Sequence, residues 1–380
     1  MNKVHIIGSS MTQFGELWDM DIADLAYTAA SDALADSGID VAEVDAIIVA
    51  NMEGGSFSGQ DHIGALLSGD LGLNVPALRV EAACASGSIA INQAFLGILS
   101  GEYTTVLVVG VEKMTDVSGA GITKVLARAS DEDKEAFWGV TFPSLYAMMA
   151  REYMRRYRVT RSDLAGVSVK NHVNGQLNEK AQFQKEISVE DVLNAPDVAE
   201  PLGLLDCSPV SDGAAAILLS SRKSQVELVA SKVATDKVAL HDRESFTSIK
   251  ASKIAAESAY NAAGISSDDI DVAEVHDCFS IAEIIAYEDL GFANQGEGVK
   301  QLAMGKFNRD GKLPINTSGG LKACGHPVGA TGVKQAHEIY QQLAGKAGRR
   351  QLKTKLNHGL THNVGGSGGT SVVNIFKTNT

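Results

Sequence analysis

Short apolar runs alternate along the chain with amphipathic or alanine-rich stretches of helical period. Val4 to Ile7 and Ala46 to Ala50 read as buried strands, and between them Asp21 to Asp36 has the spacing of a helix that Gly38 ends. The next stretch repeats the order: Leu78 to Ala82 predicts a strand, Ser86 to Leu99 a helix, and Thr105 to Val111 an apolar, β-branched strand. Runs apolar on both faces suit a parallel sheet covered by helices on each side, so the pattern predicts an α/β protein.

The pattern then recurs. Gly38-Ile39, followed by Val44-Asp45 and Ile47 to Val49, matches Gly264-Ile265, followed by Ile270-Asp271 and Ala273 to Val275, each after an alanine-rich helical stretch. A second match lays Cys84-Ala-Ser-Gly87 over His326-Pro-Val-Gly329, each opening a helix with a Gln-Ala pair, Gln93-Ala94 and Gln335-Ala336. An apolar strand follows each helix, Thr105 to Val111 and Thr370 to Phe376. Two related α/β halves are therefore predicted. Met114 to Asp206 breaks the pattern with helices, aromatics and a cluster of arginines (Arg151, Arg155, Arg156, Arg158, Arg161), and reads as an inserted cap.

Composition narrows the function classes. With 380 residues, 44% of them hydrophobic, the chain can bury a large core. Its 33 Lys+Arg against 46 Asp+Glu give a net charge of -13, which disfavours nucleic acid and anionic lipid as partners. A phosphate ligand would need a local basic patch; the arginine cluster offers one, although a solvated helix face explains most of those residues singly. The first apolar run ends at Gly8, Ser9 and Ser10, too soon for a signal peptide or membrane anchor. Cys84, Cys207, Cys278 and Cys324 are scattered and form no CxxC pair, which argues against a disulfide framework or zinc site and fits reduced thiols in a cytoplasm. The 38 glycines, against a usual ~7%, cluster at turns where backbone must approach closely.

Four turns carry candidate chemistry. Cys84 sits where a strand becomes a helix, so helix-dipole and free-amide stabilisation would favour its thiolate, while a small buried apolar cysteine is an equally good reading of the placement alone. His326 occupies the corresponding turn of the second half, and packing of the halves about a pseudo-twofold axis would bring the two together as a nucleophile and its base. His276 and Cys278 follow the strand Asp271 to Val275, at the sheet edge where parallel strands expose their ligand-binding loops. Asn363 to Gly369 is a glycine-rich turn whose bare amides suit an oxyanion.

ACASG around Cys84, SDGAAA at Ser211 to Ala216, HDCFSIAE at His276 to Glu283, NTSGGLKACGHPVGATG from Asn316 to Gly332 and HNVGGSGG at His362 to Gly369 together resemble the thiolase superfamily. Within it the chain looks most like the sterol-carrier-protein-type thiolases and the archaeal acetyl-CoA acetyltransferases, essentially end to end. The resemblance implies a thiolase fold of two βαβαβαββ halves in an α/β/α/β/α layering. Residues 1–115 with 207–222 would form one half, residues 223–380 the other, and 116–206 an inserted loop domain that binds CoA. By matched position it implies Cys84 as acyl-accepting nucleophile and His326 as the base that activates it. His276 would join His326 in binding the thioester oxygen, and the backbone amides of Cys84 and Gly365 would form a second oxyanion hole. Ser318 and Gly319 would contact substrate.

One position departs from the family pattern, because Asn363 stands where the cysteine of the C-terminal CxG motif belongs. Moving the α-proton of a thioester still needs a second titratable group. Cys278 fills that role in the sterol-carrier subgroup, and Cys324 is the rival, to which packing or a secondary role is assigned. The implied activity is reversible condensation of two acetyl-CoA to acetoacetyl-CoA and CoA through acetyl-Cys84. CoA thioesters are its substrates, and no cofactor or metal is expected. Alternatives are thiolysis of longer 3-ketoacyl-CoA chains, acyl transfer to a non-CoA acceptor, and a catalytically reduced carrier or assembly subunit. Phe137, Trp138, Phe142 and Tyr146 would either close a short-chain pocket or form the cap's own core. The archaeal branch further implies a homodimer or homotetramer, and transfer of product to 3-hydroxy-3-methylglutaryl-CoA synthase through a zinc-bearing OB-fold protein in the mevalonate pathway.

Overall fold

A computed structural model describes residues 3–379; the first two residues and Thr380, at the outer ends of the two expected halves, lie outside it. The first half is built from β1 (Val4–Met11), α1 (Ile22–Ser37), β2 (Ala46–Ala50), α2 (Gly54–Ser58), α3 (Ile63–Asp70), β3 (Ala77–Val80), α4 (Ser86–Ser100) and β4 (Thr105–Glu112). A helical stretch follows, with α5 (Gly119–Ala127), α6 (Phe142–Tyr157), α7 (Arg161–Gly175), α8 (Val189–Asn194) and a small hairpin of β5 (Asp197–Ala199) and β6 (Leu202–Gly203). The remainder comprises β7 (Gly213–Ser220), β8 (Val226–Thr235), α9 (Lys250–Ala263), β9 (Val272–Glu274), α10 (Ser280–Asp289), α11 (Gly298–Ala303), α12 (Gly320–Cys324), α13 (Thr331–Leu343), β10 (His358–Gly365) and β11 (Thr370–Thr378). Ends fall where the sequence signals them: Asp21 caps α1 by accepting from the Asp24 amide at 2.8 Å, and Gly38 closes it in the left-handed conformation at φ 70°.

Nine strands form one sheet in the order β3-β2-β4-β7-β1-β8-β11-β10-β9. The seam is β1 against β8, antiparallel from Val4–Ile6 to Leu228–Val226. Either side of it the order repeats, because Ile315 bridges Ala273 of β9 just as β3 flanks β2. The sheet is mixed rather than parallel: β2 runs parallel to β3 and β4, and β9 to β10, but β7 and β11 run antiparallel to their neighbours. Their apolar runs did not reveal this, since β7 is buried along its whole length like its parallel neighbours and therefore has no polar face.

Five layers result. Helices α1 and α3 cover the first half's outer face, α9 and α10 lie on the second half's side, and α4 and α13 pack between the two sets of strands. Backbone contact joins the two central helices. A Cβ on Gly87 would lie 2.7 Å from the Gly332 amide nitrogen, and one on Gly332 would lie 2.3 Å from that of Ser88, so only glycine fits at either crossing point. The chain leaving β4 is tied back to the start of β7 by buried Asp212, which accepts from the amides of Met114 at 2.7 Å and Thr115 at 2.9 Å and from Lys113 Nζ at 2.8 Å. The arginines of the expected cap largely serve its own acids: Arg151 pairs with Glu200, Arg155 with Glu152 and Arg161 with Asp197, while Arg156 lies over the Tyr157 ring.

Candidate active site

The turn between β3 and α4 lifts Cys84 clear of the strand. Ala83 is held at φ 51°, a left-handed conformation that an L-residue adopts only when its surroundings impose it. The Ser86 hydroxyl imposes it from one side, accepting from the Ala82 amide at 2.9 Å and donating to the Ala83 carbonyl at 2.6 Å. The Glu81 carboxylate accepts the Ala83 N–H from the other. The thiol faces a cavity of about 410 Å3, whose wall also includes Tyr146, Cys278, His326 and Gly366. Burial pushes the Cys84 thiol up to about 12, and Glu112 and Glu81 push the same way. The amides of Gly366 and Cys84 itself oppose this without overcoming it, so the helix terminus does not by itself produce the expected thiolate.

His326 reaches the thiol from the second half. The matched helices do not set Cys84 on His326, however: α4 opens with Ser86-Gly87 and α13 with Thr331-Gly332, and those glycines touch. His326 therefore stands three residues upstream of the position equivalent to Cys84, because Pro327 to Ala330 make an extra turn in which Pro327 O accepts from the Ala330 and Thr331 amides. Thr331 Oγ1 donates to Pro327 O at 3.1 Å, so it accepts from His326 Nδ1 at 2.7 Å. That arrangement places the ring proton on Nδ1 and leaves Nε2 with a free lone pair. Ser211, of the SDGAAA motif, accepts the His326 amide at 3.0 Å and donates to Gln182 Oε1 at 2.5 Å. Burial, with Lys334 adding to it, holds the His326 imidazole down at about 3, so the ring is neutral across physiological pH.

His276 sits edge-on to His326, with ring centroids 5.2 Å apart. The ligand atoms of Cys84, His276 and His326 all lie within 4.8 Å of one another. Burial lowers the His276 pKa strongly, and among the described residues its Nε2 has no hydrogen-bond partner. Asn363 meets this ring, its Nδ2 lying 3.1 Å from His276 Nδ1 and 2.9 Å from the Cys84 carbonyl oxygen. Cys278 opens onto the same cavity, with its thiol raised well above the ordinary range by burial and hydrogen-bonded to the Tyr146 hydroxyl.

Cys84, His276, Cys278 and His326 thus come together, and the remaining expected residues divide. The amide that reaches the Cys84 sulfur is that of Gly366, one residue beyond Gly365, whose own close neighbour is the Ala82 carbonyl. Ser318 and Gly319 do not line the cavity: Ser318 is buried on Glu274, to which its hydroxyl donates at 2.5 Å, and Gly319 packs against Gly175. Cys324 is enclosed in the core, where its sulfur accepts from Asn178 Nδ2 at 3.5 Å. Phe142 and Tyr146 line the cavity, whereas Phe137 and Trp138 are 71% and 73% exposed and pair edge-to-face with each other. Sequence reasoning gave no role to Thr331, Ser211 or Cys207, although Cys207 also lines the cavity. The adjoining GATG and SDGAAA runs were the available signal for the first two.

Comparison with known proteins identifies the family. Residues 4–223 match the family described as "Thiolase, N-terminal domain" and residues 233–378 the one described as "Thiolase C-terminal domain-like". The chain is 49% identical to the acetyl-CoA acetyltransferase of Methanothermobacter thermautotrophicus, over 99% of this chain and 100% of that one. It is 35% identical to sterol carrier protein 2 of Bos taurus, over 99% of this chain and 72% of the relative. Among solved structures, the Ltp2-ChsH2(DUF35) aldolase superposes with a TM-score of 0.85 at 22% identity, covering 99% of this chain and 98% of that one, which bears on the fold alone. The protein belongs to the thiolase family and is an acyltransferase of that family.

Proposed function

We propose that the enzyme interconverts two acetyl-CoA with acetoacetyl-CoA and CoA through an acetyl group carried on Cys84. The observation that carries the proposal is the convergence, within 4.8 Å, of one thiol and two neutral imidazoles beside a second cysteine on the same cavity. In the thiolytic direction His326 Nε2 takes the Cys84 proton as the sulfur attacks the 3-carbonyl of acetoacetyl-CoA. The C2–C3 bond breaks and leaves acetyl-Cys84 and the enolate of acetyl-CoA. His276 Nε2 faces the developing enolate oxygen, and the Cys278 thiol, kept protonated by burial, gives its proton to the enolate carbon. Incoming CoA restores that proton to Cys278 and attacks acetyl-Cys84. The departing Cys84 sulfur recovers its proton from His326, so the cycle closes. Condensation is the exact reverse of these steps, with Cys278 as base. The amides of Gly366 and Cys84 on the sulfur support the acyl-enzyme half of the cycle.

Thiolysis of acetoacetyl-CoA by the native enzyme and by Cys84→Ala, Cys278→Ala and Cys324→Ala tests this reading, with intact-mass detection of the acetyl-enzyme. Cys84→Ala should lose turnover and the acetyl adduct together, Cys278→Ala should lose turnover, and Cys324→Ala should keep it. A native enzyme inert on acetoacetyl-CoA, or faster on longer 3-ketoacyl-CoA, would overturn the proposed substrate.

A further inference from the structure

We infer that Asn363 is a positioning residue that dictates which ring nitrogen of His276 carries the proton, and so makes Nε2 of that ring a permanent N–H donor. The inference rests on the reading of His276 given above only for the consequence of the tautomer, not for the tautomer itself. Two backbone groups of the nucleophile turn fix the Asn363 amide. The Cys84 carbonyl can only accept and lies 2.9 Å from one end of the amide; the Ser88 N–H can only donate and lies 3.4 Å from the other. The end at Cys84 is therefore the NH2 group, and the end at Ser88 is the carbonyl. The second NH2 hydrogen faces His276 Nδ1 at 3.1 Å, so Nδ1 must accept and carries no proton. A neutral imidazole has one N–H, which then lies on Nε2, the buried atom without a partner.

His276 and His326 are thus held as opposite tautomers a few ångströms apart, one a donor and one an acceptor toward the same space. A glycine at 332 makes room for the device, since a Cβ there would lie 2.3 Å from Asn363 Oδ1. The asparagine that replaces the family's CxG cysteine has in this way become part of the site without taking over the proton transfer. A second consequence concerns metals. Cys84, His276 and His326 have the spacing of a three-ligand cluster, but with its proton on Nε2 His276 has no lone pair to offer a cation. Replacing the Asn363 amide by a carboxylate would reverse this. Aspartate accepts from Nδ1–H, turns the Nε2 lone pair inward, and creates the carboxylate–histidine pairing that favours divalent zinc.

The deciding measurement is the histidine side-chain 15N spectrum of the resting enzyme, with the His276 signals identified by their loss in His276→Gln. We expect protonated Nε2 and bare Nδ1 in the native enzyme, exchanged in Asn363→Asp. Asn363→Asp should also lower the thiolysis kcat by about 10²–10³, with KM changed far less, as for loss of one oxyanion donor. Zinc ions should inhibit this variant at concentrations that spare the native enzyme. Protonated Nδ1 in the native spectrum overturns the inference whatever the activity. Native-like kcat in a variant whose tautomer has exchanged would overturn its functional consequence. Absence of thiolysis in the native enzyme would instead refute the proposed reaction and leave the tautomer assignment standing.

Discussion

The two turns that meet at the site lead into matching helices of the two halves, and they hold their residues in opposite ways. The first is a half-buried, strained corner: Ala83 sits at φ 51°, and a serine and a glutamate hold the peptide in place around the thiol. The second is a buried corner in which His326 is only 8% exposed, and its ring, its amide and the following helix start are all hydrogen-bonded. The first corner supplies a group that must move its bonds, and the second supplies one that must not move at all. The extra turn from Pro327 to Ala330 produces the difference, since it displaces His326 from the place symmetry would give it and lets it approach Cys84 from the side. Neither half holds both the Cys84 thiol and the His326 imidazole, so the two meet only where Gly87 and Gly332 bring the central helices into backbone contact.

Removing the rigid partner should break the pairing most. His326→Ala is expected to lower the thiolysis kcat by about 10²–10⁴, the range for loss of a general base, while acetoacetyl-CoA affinity stays near native. Loss confined to KM would show that the second corner binds rather than activates. The next effect concerns the state of the thiol before attack. With Cys84 pushed up to about 12 and His326 held near 3, both are neutral at pH 7, and raising the pH increases the thiolate fraction. Alkylation of Cys84 by iodoacetamide should therefore rise about 100-fold from pH 7 to pH 9, tenfold per unit, with no plateau. A plateau beginning near neutrality would mean that the two corners rest as a thiolate–imidazolium pair.

The sequence disclosed the pieces of this comparison better than their register. Periodicity located β2 to the residue and α1 within one residue of each end, because caps such as Asp21 and Gly38 act locally. It could not show that β7 and β11 run antiparallel, since burial on both faces erases the alternation that marks direction. Matching turn to turn paired Cys84 with His326 correctly as neighbours and incorrectly as equivalents, for an inserted turn leaves no trace in a four-residue motif. Cys84, His276, Cys278 and His326 were legible because each lies in a motif. Thr331 and Asn363 act through hydrogen bonds between segments distant in the chain, and those distances exist only after folding. Ser318 shows the converse: it lies inside the most recognisable motif, yet its hydroxyl is spent on buried Glu274.

The smallest expected effect separates the two corners from the helices packed over them. Tyr146, on α6, is buried against the site, its ring stacked 4.6 Å from that of Phe279 and its hydroxyl donating to the Gly366 carbonyl at 3.1 Å. The same hydroxyl also reaches the Cys278 sulfur, a hydrogen bond that favours the protonated tyrosine and lowers the thiol's pKa against the larger effect of burial. The residue therefore links Cys278 to the glycine whose amide meets the Cys84 sulfur, and it does so from outside both duplicated halves. Tyr146→Phe preserves the stacking and removes only the hydroxyl. Loss of one neutral hydrogen bond, worth about 1 kcal/mol, corresponds to roughly a fivefold fall in kcat. That fall should appear when protonation of the enolate is followed, by solvent-isotope effect on thiolysis, and not in the rate at which acetyl-CoA acetylates Cys84. An equal loss in both measurements would place Tyr146 with the strained corner, as a support for Gly366 alone. A loss in proton transfer only would show that the inserted helices tune the second cysteine while the halves, by themselves, position the first.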